Sequence, residues 1–356
     1  MPDPGWRPEW SVPPGDVLRE ALEERSMTQS ELARRMDRPL KTINEIINAK
    51  AAITPETALQ LELALGISAD FWNALETQHR AAIARQNEAM ELVADEEWAR
   101  QFPMRDLVLR DAIPAGLSGA DLVKALLRFF GVSSRGAWGR QWEQTAVRFR
   151  RSRAYESSPT AVAAWLRLGE IEAAEMDIAT YDARRFQEAL ERSRPLTRRR
   201  PFALAIQMAT REFASSGVGL VVTRELPGTR LSAAARWLGP RTALIQVSLR
   251  YKTADQVWFS IFHDAAHLLL HPRDTDYLDE EGTEGPREQE ADSFARSWLV
   301  PDREYDAFVA EGHFTESTVR EFAELIGTAP GIVVGRLQHD GHVQHSKLNF
   351  LKEALT

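Results

Sequence analysis

The sequence predicts a mostly α protein with an α+β C-terminal domain, and three observations carry that prediction. Up to about residue 215 apolar residues recur at helical spacing between capping signals, with no convincing strand. From Gly217 two short β-branched runs bounded by Gly and Pro, GLVVTREL and TALIQVSL, read as strands of a small sheet. Helical patterns then resume at Asp255 to Leu270, Pro286 to Leu299 and Thr315 to Ile326, the mixture expected of an α+β unit.

Four regions follow from this pattern. Residues 1–14, rich in Pro and Trp, read as an extended arm; residues 15–95 form a first helical domain. Residues 96–215 form a helical middle segment whose clearest element is AVAAWLRLGEIEAAEM, and residues 216–356 form the α+β domain. A chain of 356 residues suits two or three domains. Its 44% hydrophobic and 27% charged content is that of a globular protein.

The composition also excludes several classes. With no cysteine, a disulfide framework and a thiolate zinc site are both ruled out, so a metal would rest on His, Asp and Glu, and a reducing cytoplasm fits. No apolar run approaches the roughly 20 residues that cross a bilayer, and MPDPGWRPEWSVPPG lacks the basic-then-apolar pattern of an export signal, so a cytoplasmic protein without a membrane partner is expected. A net charge of −8 argues against coating nucleic acid along the whole surface, but not against a local basic patch. Two basic runs, VRFRRSRAY (147–155) and RSRPLTRRRPF (192–202), read as solvated faces or loops ahead of a nucleic-acid surface.

The first domain parses into five short helices. Val17, Leu18, Ala21 and Leu22 give the first a buried stripe. Thr28 is a natural N-cap for the second, with Glu31 three residues later to complete a capping box. Pro39 suits the first position of a third helix, which would bury Leu40, Ile43, Ile46 and Ile47. Its other side carries Lys41, Thr42, Asn44, Glu45 and Asn48, side chains able to reach base edges from a recognition helix. Arg34, Arg35, Arg38, Lys41 and Lys50 against Asp37 and Glu45 make this region locally basic, which suits phosphate contacts. The wording MTQSELARRMDRPLKTINEIINAKAAITPETALQLELALG resembles HigA-type antitoxins and their XRE-family repressor relatives over about 80 residues. That resemblance implies a five-helix XRE helix-turn-helix that dimerises on operator DNA, its second helix docking on phosphate through Gln29 and its third reading bases. The partner it implies is a separate HigB-like toxin.

The α+β domain carries FHDAAHLLLH, residues 262–271. On a helix, His263 and His267 lie on one face about a turn apart, so both imidazoles can address one cation such as zinc. VWFSIF before the pair and LLL after it mark a buried helix, where two histidines need partners. The third ligand is sought in PREQEADSFARSWLVP, whose inward face is set by Ala291, Phe294, Ala295, Trp298 and Leu299. On the helical wheel Glu288 lies nearer the centre of that face than Glu290, which is the alternative ligand, and Asp292 one turn after Glu288 is placed to accept from a ligand histidine.

FSIFHDAAHLLLH followed by EQEADSFARSWLVP, and the closing PGIVVGRLQHDG, resemble the ImmA/IrrE family of metallopeptidase-like proteins, over roughly Gly217 to Leu355. The resemblance implies a zincin-like domain with a small sheet, one zinc ion per chain and, in some members, cleavage of a repressor protein. The family's wording is His-Glu-x-x-His, and here the acid is Asp264. In that mechanism the carboxylate takes a proton from the attacking water and later returns it to the leaving amine. Aspartate is one methylene shorter, and such catalysis is sensitive to misplacement of about 1 Å, so Asp264 is expected to be a weakened general base. Arg336, Gln338 and His339 could approach the cleft, with His339 as an oxyanion donor or competing ligand, but the favoured reading is surface loop and helix end, as for His271, His342 and His345. The expected function is a DNA-binding regulator of toxin-antitoxin type with a zinc-binding domain of weakened or lost activity; the alternative is an active zinc endopeptidase acting on a repressor or partner protein.

Overall fold

The computed structural model describes residues 11–143, 158–250, 252–273, 277–280 and 285–355. The first ten residues of the expected arm and the basic run 147–155 lie outside the described residues. The chain divides into two compact units, residues 1–96 with 118–123 and residues 97–117 with 124–356, so the middle segment, apart from residues 96 and 118–123, groups with the sheet.

The first unit holds α1 (Pro14–Glu24), α2 (Gln29–Arg35), α3 (Leu40–Ile47), α4 (Pro55–Leu65) and α5 (Ala69–Val93). Leu18, Leu32, Ile43, Leu61 and Trp72 from the five helices are fully buried and form one core. Thr28 caps α2 by accepting from the Glu31 amide at 3.2 Å. The Glu31 carboxylate turns to Arg35 instead of reaching back, so this capping box is half formed. Pro39 is the N-cap of α3 and not its first residue. Leu40, expected in the core, is 48% exposed, because α3 makes its core contacts one turn later, from Ile43. Gly15 lets α1 cross the end of α3 closely: a Cβ there would stand 2.5 Å from the carbonyl oxygens of Ile46 and Ile47.

Short helices α6 (Glu96–Ala99), α7 (Met104–Leu109), α8 (Gly119–Phe130) and α9 (Arg135–Trp138) follow. Trp98, Phe102 and Trp138 stack edge to face at 5.2–5.4 Å, an aromatic substitute for an aliphatic core. Then come α10 (Pro159–Ala174), α11 (Ala183–Ser193) and α12 (Phe202–Ala214). The basic run 192–202 carries ion pairs within this unit, Arg192 to Glu212 at 2.7 Å, Arg198 to Glu324 at 3.3 Å, and Arg200 to Glu353.

The sheet has four strands, β1 (Val218–Val222), β2 (Leu231–Gly239), β3 (Thr242–Val247) and β4 (Tyr277–Glu280), in the order β1-β3-β2-β4. Two of these were not expected. β2 reads LSAAARWLG, and alanine is depleted in strands; β4 is only four residues long. The register shows why alanine suits β2. Ala235 pairs with Ile245, and Ala234 with Gln246. Successive side chains point to opposite faces. Leu220, Ala233, Ala235, Ile245 and Val247 join the main core, while Val221 and Leu244 pack with Ala173 of α10 on the other side. Trp165 Nε1 of α10 donates to the Thr223 carbonyl at 2.9 Å, and Gln246 Nε2 donates to the Trp165 carbonyl at 2.7 Å. A sheet covered on both faces needs small residues where helices approach, and this requirement overrides strand propensity.

The main-core side is covered by α13 (Ala254–Leu270), and α14 (Pro286–Leu299), α15 (Asp302–Glu311), α16 (Glu316–Ile326) and α17 (Pro330–His339) complete the unit. No helix among the described residues is long and apolar enough to cross a membrane.

Candidate metal centre and nucleic-acid interface

Alanines set the distance between α13 and α14. Ala265, Ala266, Ala291 and Ala295 are all 0% exposed, so the two backbones approach closely and their polar residues meet. His263 and His267, one turn apart on α13, turn their Nε2 atoms toward each other at 3.1 Å. Glu288 Oε2 of α14 lies 3.1 Å from the first and 3.5 Å from the second. A tetrahedral centre with bonds of about 2.1 Å spaces its donors about 3.4 Å apart, so this triangle of two imidazoles and a carboxylate fits a zinc-sized cation. It is the His, Asp and Glu cluster among the described residues able to hold one.

Around the triangle, His263 Nδ1 faces Asp292 Oδ1 at 3.0 Å. Glu290 does not join the donors; its carboxylate lies 3.0 Å from His271 Nε2. His271 is therefore no surface residue: it is 9% exposed, and its Nδ1 is 2.8 Å from His267 Nδ1. The signal for it was present in the sequence as a third histidine at the same four-residue step. Tyr277 of β4 stacks on His267 with ring centroids 4.4 Å apart and planes 13° from parallel, a contact that no motif signals. Asp264, next to His263, is 0% exposed.

The electrostatics suit a cation. Burial, ahead of the neighbouring imidazoles, pushes His267 below its ordinary 6.5 and keeps it neutral. Burial opposes ionisation of Glu288, but hydrogen bonds to His263 and His267 outweigh it and bring the carboxyl down to about 2. Both groups bind protons less readily folded than unfolded, so the metal-free protein is stabilised by high pH. Stability should fall as pH drops below 6.5, where only the unfolded His267 takes up a proton, and again from 4.5 toward about 2 through Glu288. Urea unfolding of metal-free protein against pH checks this; Glu288→Gln should remove the lower of the two steps.

A cavity of about 420 Å³ adjoins Phe259, Asp292 and Arg296. Arg336 and Gln338 line it and are not surface residues as expected: Arg336 pairs with Asp302 at 2.7 Å, and Gln338 is 4% exposed. His339 accepts from Arg296 Nη1 at 3.2 Å, while His342 and His345 are exposed.

In the first unit Ile43, Ile46 and Ile47 anchor α3, and Lys41, Asn44, Asn48 and Lys50 stand exposed. Thr42, Glu45, Gln29 and Arg38 are half-buried and Thr28 is exposed at the start of α2. Arg38 Nε donates to Gln60 at 2.8 Å, and Lys41 lies 3.7 Å from Glu45.

A five-helix unit whose third helix turns a polar face outward, and a second unit whose neighbouring helices α13 and α14 bring two histidines and a carboxylate together, define a helix-turn-helix protein with a metallopeptidase-like domain. Comparison with known families agrees: residues 18–72 match the helix-turn-helix family and residues 215–337 match the IrrE N-terminal-like domain, so the chain carries one domain of each kind. Over 59 residues it is 37% identical to the HTH-type transcriptional regulator YddM of Escherichia coli, an alignment taking in 17% of this chain and 63% of that protein, under two thirds of its length. Over 76 residues it is 41% identical to virulence-associated protein A of Dichelobacter nodosus, covering 21% of this chain and 72% of that one. The solved structure of an addiction module antidote protein of a HigA family from Coxiella burnetii is 26% identical, covers 23% of this chain and 89% of its own, and gives a TM-score of 0.22.

Proposed function

We propose that the chain is a DNA-binding transcriptional regulator of toxin-antitoxin type, a HigA-like antitoxin, whose IrrE-like domain holds one zinc ion in a centre of weakened or lost peptidase activity. The observation that carries the DNA reading is the division of α3. Three isoleucines fix the helix, and the opposite face presents Lys41, Asn44 and Asn48 to solvent. Amide side chains there suit adenine edges and Lys41 suits guanine or phosphate; Thr28, Gln29, Arg38 and Lys50 flank the helix for backbone contacts. Leu59 and Leu63, one turn apart on α4 and 57% and 88% exposed, support a homodimer that covers them. A separate HigB-like toxin is the partner this reading supplies.

Zinc is supported by the spacing and chemistry of the His263, His267 and Glu288 donors. Bound there, it would supply Lewis acidity and lower the pKa of water to about 7. Asp264 stands one methylene short of the position from which the family's glutamate moves its proton, which favours loss of activity. The intact donor triangle favours the second reading, an active endopeptidase that cleaves a repressor or partner protein.

The DNA reading is tested by mobility shift on the protein's own promoter at fixed salt. Lys41→Ala with Asn44→Ala should weaken binding by about 10- to 1,000-fold, since each good base contact contributes about 1–3 kcal/mol. Unchanged affinity would remove α3 as the recognition helix.

A further inference from the structure

We propose that His271 and Glu290 are positioning residues that hold His267 in the one tautomer and orientation a metal ligand needs, a role that rests on the zinc reading above. His267 Nε2 faces the donor triangle, 3.1 Å from His263 Nε2 and 3.5 Å from Glu288 Oε2. A ring nitrogen that gives its lone pair to a cation carries no proton, so the single proton of neutral His267 sits on Nδ1. That nitrogen is 2.8 Å from His271 Nδ1, which must accept. The proton of His271 is thereby placed on Nε2, 3.0 Å from Glu290 Oε2, and donates to the carboxylate. Each step leaves one choice.

The two ligand histidines are then held in parallel ways. His263 donates from Nδ1 to Asp292 directly, at 3.0 Å. His267 reaches its carboxylate through an interposed imidazole. Local structure explains the difference. His271 is the residue at which α13 ends, with φ −113° and ψ 162°, yet its amide still bonds to the His267 carbonyl at 3.2 Å. Its ring is thus kept one turn from His267 while the chain leaves the helix. His267 is 1% exposed, so water does not substitute for the acceptor, and Tyr277 stacked at 4.4 Å fixes the ring plane. Without His271 the buried Nδ1–H would lose its partner, and the orientation with Nε2 toward the metal would lose its advantage.

The test is zinc affinity of the full chain, measured by competition with a chromophoric chelator, in the wild type, His271→Leu and His271→Asn. Asparagine places Oδ1 close to where Nδ1 stands, whereas leucine fills the space without accepting. His271→Leu should bind zinc about 10- to 100-fold more weakly, and His271→Asn should recover most of the loss. Equal affinity of His271→Leu and wild type, or His271→Asn as weak as His271→Leu, overturns the role, because packing alone would favour leucine. No zinc uptake by the wild type would remove the zinc reading, and this role with it. Independently of any variant's folding, nitrogen NMR of the zinc-loaded wild type should find His271 protonated at Nε2 and bare at Nδ1; the opposite tautomer overturns the proposal.

Discussion

Replacing Asp264 with glutamate is expected to raise peptide hydrolysis by the zinc-loaded protein by about 10²- to 10⁴-fold, the usual contribution of a positioned general base. The donors do not change, because residue 264 is not among them. What changes is the reach of one carboxylate by about one carbon–carbon bond. Asp264 is 0% exposed, so the added methylene has to be accommodated at a cost of about 1–3 kcal/mol. Thermal unfolding and zinc content of the variant should be measured beside its rate on unstructured peptides. His263→Ala in either background should abolish zinc-dependent cleavage. Cleavage by the wild type that His263→Ala removes would replace the regulator reading of this domain with that of an active endopeptidase.

The site was legible where chemistry and spacing coincide. Two histidines a turn apart on an apolar helix and a carboxylate on the inward face of the next helix are enough to bring His263, His267 and Glu288 into one triangle. His271 was not, because a histidine at a helix end looks exposed until the fold shows Glu290 and Tyr277 closing over it. The fold was legible where periodicity is strong, as in α14, whose limits Pro286 and Leu299 match the apolar pattern. β2 was hidden because its alanines answer to the helices packed on the sheet's two faces, and no local propensity encodes that. Leu40 fails for a related reason: the wheel gives its direction, but it is the first residue of α3, and the helix is buried only from Ile43 onward.

Trp258→Ala should destabilise the metal-free second unit by about 3–5 kcal/mol, the range for emptying a large aromatic site in a core. That is a large part of the roughly 5–15 kcal/mol holding a typical domain folded. Trp258 is 1% exposed on α13, within the main core, and its ring lies 6.3 Å from that of Phe202. Trp258→Phe should cost far less than its lost volume suggests. The indole Nε1 is buried without a hydrogen-bond acceptor among the described residues, and phenylalanine removes that donor, relieving about 1–3 kcal/mol. Urea unfolding followed by circular dichroism separates the two variants; equal losses would mean that the indole is satisfied. The same helix carries His263 five residues on, so zinc links this measurement to the site. Zinc at about 100 times its Kd adds about 2.7 kcal/mol to any form that binds it only when folded. An increment equal in wild type and Trp258→Ala would place the damage in the core alone, whereas a smaller one in the variant would mean that α13 transmits it to the donors.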